Sequence, residues 1–155
     1  MSLALLVAAL GCTLMGGFFF AFSVCVMRAL SLQPSPHGIA AMQSINVVVL
    51  NPVFLALFLG LAALAAVLAA VALWRPSAGV APFIVAGALL YVVGSFGVTM
   101  ALNVPLNNAL AAVRPDSAEG AHLWTHYLEV WTRWNHVRLL ASLLAGAAFA
   151  WAFAR

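Results

Sequence analysis

Lysine is absent from this 155-residue chain, acidic residues number three, and charged residues of both signs make up 6% of it. A soluble domain is about 25% charged and 45–50% apolar. With 66% hydrophobic residues and a mean hydropathy of +1.14, the chain reads as an integral membrane protein. The six arginines are scattered, so the net charge of +3 and the isoelectric point near 9.5 build no basic face of the kind nucleic acid requires. No nucleic-acid partner is expected, and the arginines read as orientation and anchoring charges. Cysteine is equally scarce. Cys12 and Cys25 stand in one apolar segment, about 20 Å apart along a helix, which excludes a disulfide between them. Both are expected to be small buried apolar residues. A Gly-x-Ser-x-Gly elbow, a phosphate-binding loop, a Cys-x-x-Cys pair and internal repeats are all missing, which removes common signatures of hydrolase, nucleotide and dithiol chemistry. No basic segment precedes the first apolar run, and that run is too long for a signal peptide, so it is read as a span.

What is present is apolar sequence in lengths that suit a bilayer, whose hydrocarbon core asks for about 20 residues of helix. Spans are expected at 3–27, 53–74, 80–102 and 134–153 within a single domain, 1–155. Pro34 and Pro36 break the chain after the first span. The second helix is expected to reach back through Ala40, Met42, Ile45 and Val49, projecting beyond the membrane before Pro52. Arg75, Pro76 and Gly79 turn the chain into the third span, which continues as the polar stretch 103–108. Asp116 or Ser117 caps a fourth helix that starts near Ala118. The expected fold is therefore all-α: an integral membrane four-helix bundle whose helices 2, 3 and 4 extend into a small polar headpiece on one side. Each helix satisfies its own backbone in lipid. An even number of crossings puts both termini on one side, taken as the cytoplasmic face of a bacterial cytoplasmic membrane, although Arg75 and Arg155 nearly balance Arg28 and Arg114. The small residues Ala62, Ala65, Ala66 and Ala69 offer a stripe for a homo-oligomer or for packing within one chain.

Polar chemistry is concentrated in HLWTHYLEVWTRWNHVR, from His122 to Arg138. At about 100° per residue, His122, His126, Glu129, Arg133 and His136 share one face of a helix. His122, His126 and Glu129 are candidate ligands for a divalent metal, and the histidines are candidates for haem ligation between helices. Arg133 opposes a cation there, and its i, i+4 pairing with Glu129 describes a solvated face instead. No cofactor is expected, because nothing in the spacing demands one. The opposite face carries Trp124, Tyr127, Trp131, Asn135 and Arg138, with Trp134 on its flank, and continues into Ser142, Ala145 and Gly146. Small residues let helices approach, so this is the inward face. An ionisable residue turned into a membrane bundle marks function by default. Asn51 before the second span, Asn103 after the third, and Ser23 and Arg28 at the end of the first reach the same level, with Gln43, Asn46 and Asn107 one layer outward. These residues converge on a chamber at the membrane edge, suited to a planar oxygen-rich molecule and to its enolate or phenolate. Interfacial belt tryptophans and helix-tying asparagines are the alternative reading of the same side chains. His136 is the candidate general base, although the helical wheel turns it away from Arg138.

The segments MQSINVVVLNPVF (Met42 to Phe54), NVPLNNAL (Asn103 to Leu110) and WTRWNHVR (Trp131 to Arg138), with FxFS at Phe20 to Ser23, resemble the anthrone oxygenase-like family of small four-helix membrane proteins. The resemblance covers nearly the whole chain. The family's motif positions fall on Asn46, Asn51, Pro52, Asn103, Pro105, Asn107, Trp131, Asn135 and Arg138, which coincide with the chamber. The resemblance implies an oxygenase that converts an anthrone to an anthraquinone without a bound organic cofactor, as fungal members do. Such chemistry needs a base for the acidic ring proton and a dry, positive site for the anion. Arg138 and Asn135 are assigned to the anion and His136 to the proton. Gln43, Asn46, Asn51, Asn103, Asn107, Trp131 and Trp134 are assigned to substrate binding. The expected function is a membrane-embedded oxygenase acting on a hydrophobic phenolic or anthrone-like molecule that arrives from lipid. A non-catalytic protein binding a lipid, a quinone or a partner subunit in the same chamber is the second reading. A metal or haem protein using the histidine stripe is the third.

Overall fold

The computed structural model describes residues 1–75 and 79–155; Pro76, expected in the turn after the second span, lies outside the described residues. Helix α1 covers Ser2–Ser31, α2 Ser35–Val48, α3 Pro52–Trp74, α4 Ala81–Ala111 and α5 Ala118–Phe153. Among the described residues there is no strand. The helices α1, α3, α4 and α5 are long and apolar enough to cross a membrane, so the protein is a multi-pass, all-helical membrane bundle.

The packing partners give the directions of the helices. Position numbers rise along α1 as they fall along α5: Gly146 meets Thr13, Gly16 meets Leu143, and Asn135 meets Phe19 and Ser23. The same antiparallel ladder joins α4 to α5 through Gly87 and Phe149, Ser95 and Ser142, Thr99 and Arg138, then Asn103 and Trp131. Helix α3 packs antiparallel to α1, with Gly11 against Leu61 and Phe18 against Phe54. The bundle is thus closed in the order α1, α3, α4, α5, and residues 2 and 153 lie at one end. Its membrane core is built on Met15, Phe19, Phe58, Tyr91 and Phe149. Of the small-residue stripe of α3, Ala65 is buried in this core, Ala62 and Ala69 are partly buried against it, and Ala66 is exposed.

The projecting end differs from the expectation in two respects. The second helix is not continuous: the chain breaks after Val48, and α2 is a separate element. The Asn51 side chain accepts the Phe54 N–H at 3.0 Å and donates its amide to the Val48 carbonyl at 3.0 Å, closing both ends of the break. Pro52, at the first helical position, lacks only an N–H that would be unpaired there anyway. Nor is the headpiece polar inside. Met27, Ile39, Met42, Leu110, Trp124, Tyr127 and Trp131 form a second apolar core, where each large side chain contributes about 1.5–3 kcal/mol on burial from water. Cys12 is buried as expected, whereas Cys25 is exposed on the surface of α1.

Ser117 is the residue that caps α5: its hydroxyl accepts the Gly120 N–H at 2.9 Å and donates to the Arg114 carbonyl at 2.7 Å. Ser117→Ala is expected to lower stability by about 1 kcal/mol, read as a lower unfolding midpoint, while Ser117→Asp retains most of it. Next to this cap Arg114 forms a two-point pair with Asp116 at 3.2 and 2.9 Å, and that hydrogen bonding holds the Asp116 carboxyl below its usual range. The pair is fully in solvent, and such pairs contribute little to stability.

Candidate functional site

Helix α5 spaces its buried residues by three and four along 36 residues, and the direction read from the wheel is the direction found. Trp124, Tyr127, Trp131, Asn135, Arg138, Ser142, Ala145 and Gly146 are buried. His122, His126, Glu129, Arg133 and His136 are exposed, and Trp134 is half-buried on the flank.

Arg138 is the unusual member. It is 5% exposed, with its guanidinium carbon 4.4 Å from the centre of the Phe19 ring and 5.0 Å from that of Trp131. One terminal nitrogen donates to Asn135 Oδ1 at 2.7 Å and the other to Thr99 Oγ1 at 3.2 Å. Its Nε has no hydrogen-bond partner among the described residues. Nor does an acid neutralise it: Asp116 pairs with Arg114, Glu129 pairs with Arg133 at 2.7 Å, and Glu119 is exposed. A buried cation held only by a hydroxyl, an amide oxygen and two ring faces retains most of its attraction for an anion.

Asn135 fixes that arginine. Its amide nitrogen donates to the Phe19 carbonyl at 2.8 Å and to Ser23 Oγ at 2.7 Å, which leaves its oxygen pointing at Arg138. Asn103, 1% exposed, donates to the Trp131 carbonyl at 3.2 Å, while its own oxygen has no partner among the described residues. Both partner helices depart from α-helical winding at this level. The backbone is π-helical over Phe22–Val26 in α1, and over Leu90–Gly97 and Thr99–Asn103 in α4. Wide turns of this kind are rare and gather at functional sites.

The remaining residues divide by layer. Asn107 Oδ1 accepts from both the Tyr127 hydroxyl and the Trp131 indole at 2.8 Å, and the Asn46 amide approaches the Tyr127 hydroxyl at 3.5 Å. Trp124, Tyr127 and Trp131 form a stacked ladder with ring centres 5.6 and 6.0 Å apart. Gln43 donates to the carbonyls of Leu110 and Val113 at 2.8 and 3.0 Å, tying α2 to the end of α4. Gln43 and Asn51 are thus engaged in holding helix ends. Arg28 is exposed and takes no part in the cluster. His136 sits about 200° around the helix from Arg138 and faces outward. His122 and His126 also face outward, and among the described residues no three His, Cys, Asp or Glu side chains come together as a metal site. Four participants went unread in the sequence: Phe19, Phe22, Thr99 and the role of Tyr127. Signals were present for three of them: Phe22 in the FxFS motif, Tyr127 on the inward face of the last helix, and Thr99 as a hydroxyl one turn before Asn103.

Two apolar grooves flank this cluster on the α1 and α3 side. One, of about 450 Å³, is lined by Thr13, Met15, Phe18, Phe54 and Leu57 among others. The second, of about 340 Å³, is lined by Phe18, Phe22, Ile45, Val48, Asn51 and Phe54 among others. Neither is lined by Arg138, Asn135 or Trp131.

The fold and site define a multi-pass helical membrane protein with a buried, unneutralised arginine between aromatic rings at its headpiece end. The chain belongs to the anthrone oxygenase family: the family model of that description matches residues 53–148, more than half of the chain. The match includes Asn103, Asn107, Trp131, Asn135 and Arg138, while Phe19, Ser23 and Asn46 lie before it. No curated protein and no solved structure matches the chain.

Proposed function

We propose that the protein is a membrane-embedded oxygenase that oxidises a hydrophobic phenolic or anthrone-like molecule, binding its deprotonated form against Arg138. The observation that carries this reading is the buried guanidinium without a carboxylate, clamped between Phe19 and Trp131. A flat enolate offers what that site lacks: negative charge for the cation and Nε, and π-surface for the rings. For an anthrone the overall change balances with dioxygen alone. The ring methylene loses two hydrogens and gains one oxygen as a carbonyl, and the second oxygen leaves with those hydrogens as water. The electrons come from the bound anion, so the contribution of the protein is to make that anion at neutral pH and keep it dry.

In this reading the cation of Arg138 acidifies the ring proton by stabilising the anion, and the proton passes to water at the membrane surface, not to an imidazole. His136→Ala is therefore expected to keep oxygen uptake within about twofold of wild type with an unshifted pH profile; a loss of two or more orders of magnitude would return the proton to His136. The test of the function itself is oxygen consumption by purified protein in lipid vesicles supplied with anthrone. One dioxygen consumed per anthrone, above the rate in protein-free vesicles, is the expected result; equal rates would remove the proposal. The apolar grooves favour a second reading, a non-catalytic binder of a lipid or quinone, which predicts saturable quinone binding without uptake.

A further inference from the structure

We infer that the groove beneath the junction of α2 and α3 is a lateral portal, through which a flat aromatic molecule dissolved in the bilayer reaches Arg138 with Phe22 as its gate. This rests on the reading of Arg138 as the site that holds the substrate anion.

Continuity of contacts is the first argument. Phe22 lines the groove of about 340 Å³, and its ring lies 5.8 Å from that of Trp131. Trp131 in turn neighbours the guanidinium of Arg138, at 5.0 Å. One side chain therefore separates the groove from the ring on which the cation rests. The groove is also within the size range of small-molecule sites, about 300–1,000 Å³.

The lining says what the groove takes. Three of its lining residues are aromatic: Phe18 meets Phe22 and Phe54 at centroid distances of 5.0 and 5.1 Å with tilts of 47° and 50°. Aromatic faces prefer a planar aromatic guest to a saturated chain, because offset and edge contacts add to simple burial. The two polar residues of the lining, Ser44 and Asn51, come from α2 and from the turn after it, on the headpiece side of α3, where the oxygen atoms of such a molecule remain near the membrane surface.

The surroundings place the mouth in lipid. Val47, Val48, Leu50 and Val53 are 63–81% exposed at the turn that frames the groove. Four such side chains on a headpiece in water would form a costly apolar patch, whereas at the membrane edge they anchor the turn. Phe22 has the means to move: it opens the π-helical turn Phe22–Val26 of α1, and a wide turn can return to α-helical winding by a small shift of register.

The experiment uses anthraquinone, an aryl ketone that attaches to nearby C–H bonds when irradiated, with the full-length protein in phosphatidylcholine vesicles. Adducts mapped by mass spectrometry are expected on Ile45, Val48 and Val49, and to fall about fivefold in Ile45→Trp, which fills the groove. Labelling spread evenly over lipid-facing residues such as Leu140 and Leu144, or unchanged in Ile45→Trp, overturns the portal. In the turnover assay Ile45→Trp is expected to raise the KM for membrane-dissolved anthrone about fivefold with kcat preserved, and Leu140→Trp on the far side to change neither. The two proposals fail separately. Loss of turnover in Arg138→Ala with no groove-specific labelling retains the oxygenase and removes the portal. Groove-specific labelling with wild-type turnover in Arg138→Ala retains the portal and removes the anion site.

Discussion

Arg138→Met is expected to abolish anthrone-dependent oxygen uptake while leaving the unfolding midpoint unchanged or higher. The two halves of this result have one cause. Arg138 is 5% exposed, and no carboxylate faces it. A charge held in this way costs the fold several kcal/mol of desolvation, which two hydrogen bonds and two ring faces offset only in part. Methionine fills much of the same space between Phe19 and Trp131 without the charge, so the fold gains where the function loses. The expected fall in kcat/KM is about 10²–10³, the usual effect of removing one preorganised group that faces a developing anion. Arg138→Lys separates charge from shape. An ammonium keeps the cation but neither the planar stacking on Trp131 nor the fork that meets Asn135 and Thr99 together, so an intermediate loss is expected. A purely structural arginine gives the reverse pattern: a lower midpoint in Arg138→Met, with turnover restored in proportion to stability.

The orientation of α5 was legible because one helix of 36 residues repeats its buried positions at a single period. Trp131, Asn135 and Arg138 follow that period, and so do the outward histidines, which is why the more conspicuous His122 and His126 fall outside the cluster. The break before α3 was written in the sequence as well, since Asn followed by Pro is a common way to start a helix. The same dipeptide also occurs at kinks within continuous helices, so the sequence alone does not choose between them. What could not be read is whatever depends on a partner helix. Thr99 and Phe19 become site residues only because α4 and α1 each approach α5 at a particular rotation, and π-helical turns shift that rotation by a full position without a compositional mark. The aromatic core of the headpiece was hidden for a related reason. Ile39, Met42, Leu110 and Trp124 are interleaved with polar residues and come from three different helices, so they form a core only once α2 folds back as a separate element.

That rotation depends on how closely α1 and α5 approach, and Gly146 sets the approach. A Cβ built at Gly146 lies 2.6 Å from Thr13 Oγ1 and 3.1 Å from the Ala9 carbonyl oxygen, which belongs to the backbone and has no rotamer with which to yield. Gly146→Leu must therefore move α1 away from α5. In a bilayer the helices are held by contact rather than by exclusion from water, so lost contact is not replaced. The expected cost is about 3 kcal/mol, at the upper end for overpacked cores. It reaches the site through α1, because the two acceptors that hold the Asn135 amide, the Phe19 carbonyl and Ser23 Oγ, sit further along the same helix. Turnover should fall in Gly146→Leu although the substitution lies more than two helical turns from Asn135. Gly60→Leu is the control: nothing lies within 4 Å of its Cβ position and it lines neither groove, so lipid alone accommodates the side chain and neither midpoint nor turnover is expected to change. Equal losses in both variants would mean that glycine is required for a general property of the helix rather than for the α1–α5 contact that positions Asn135 and, through it, Arg138.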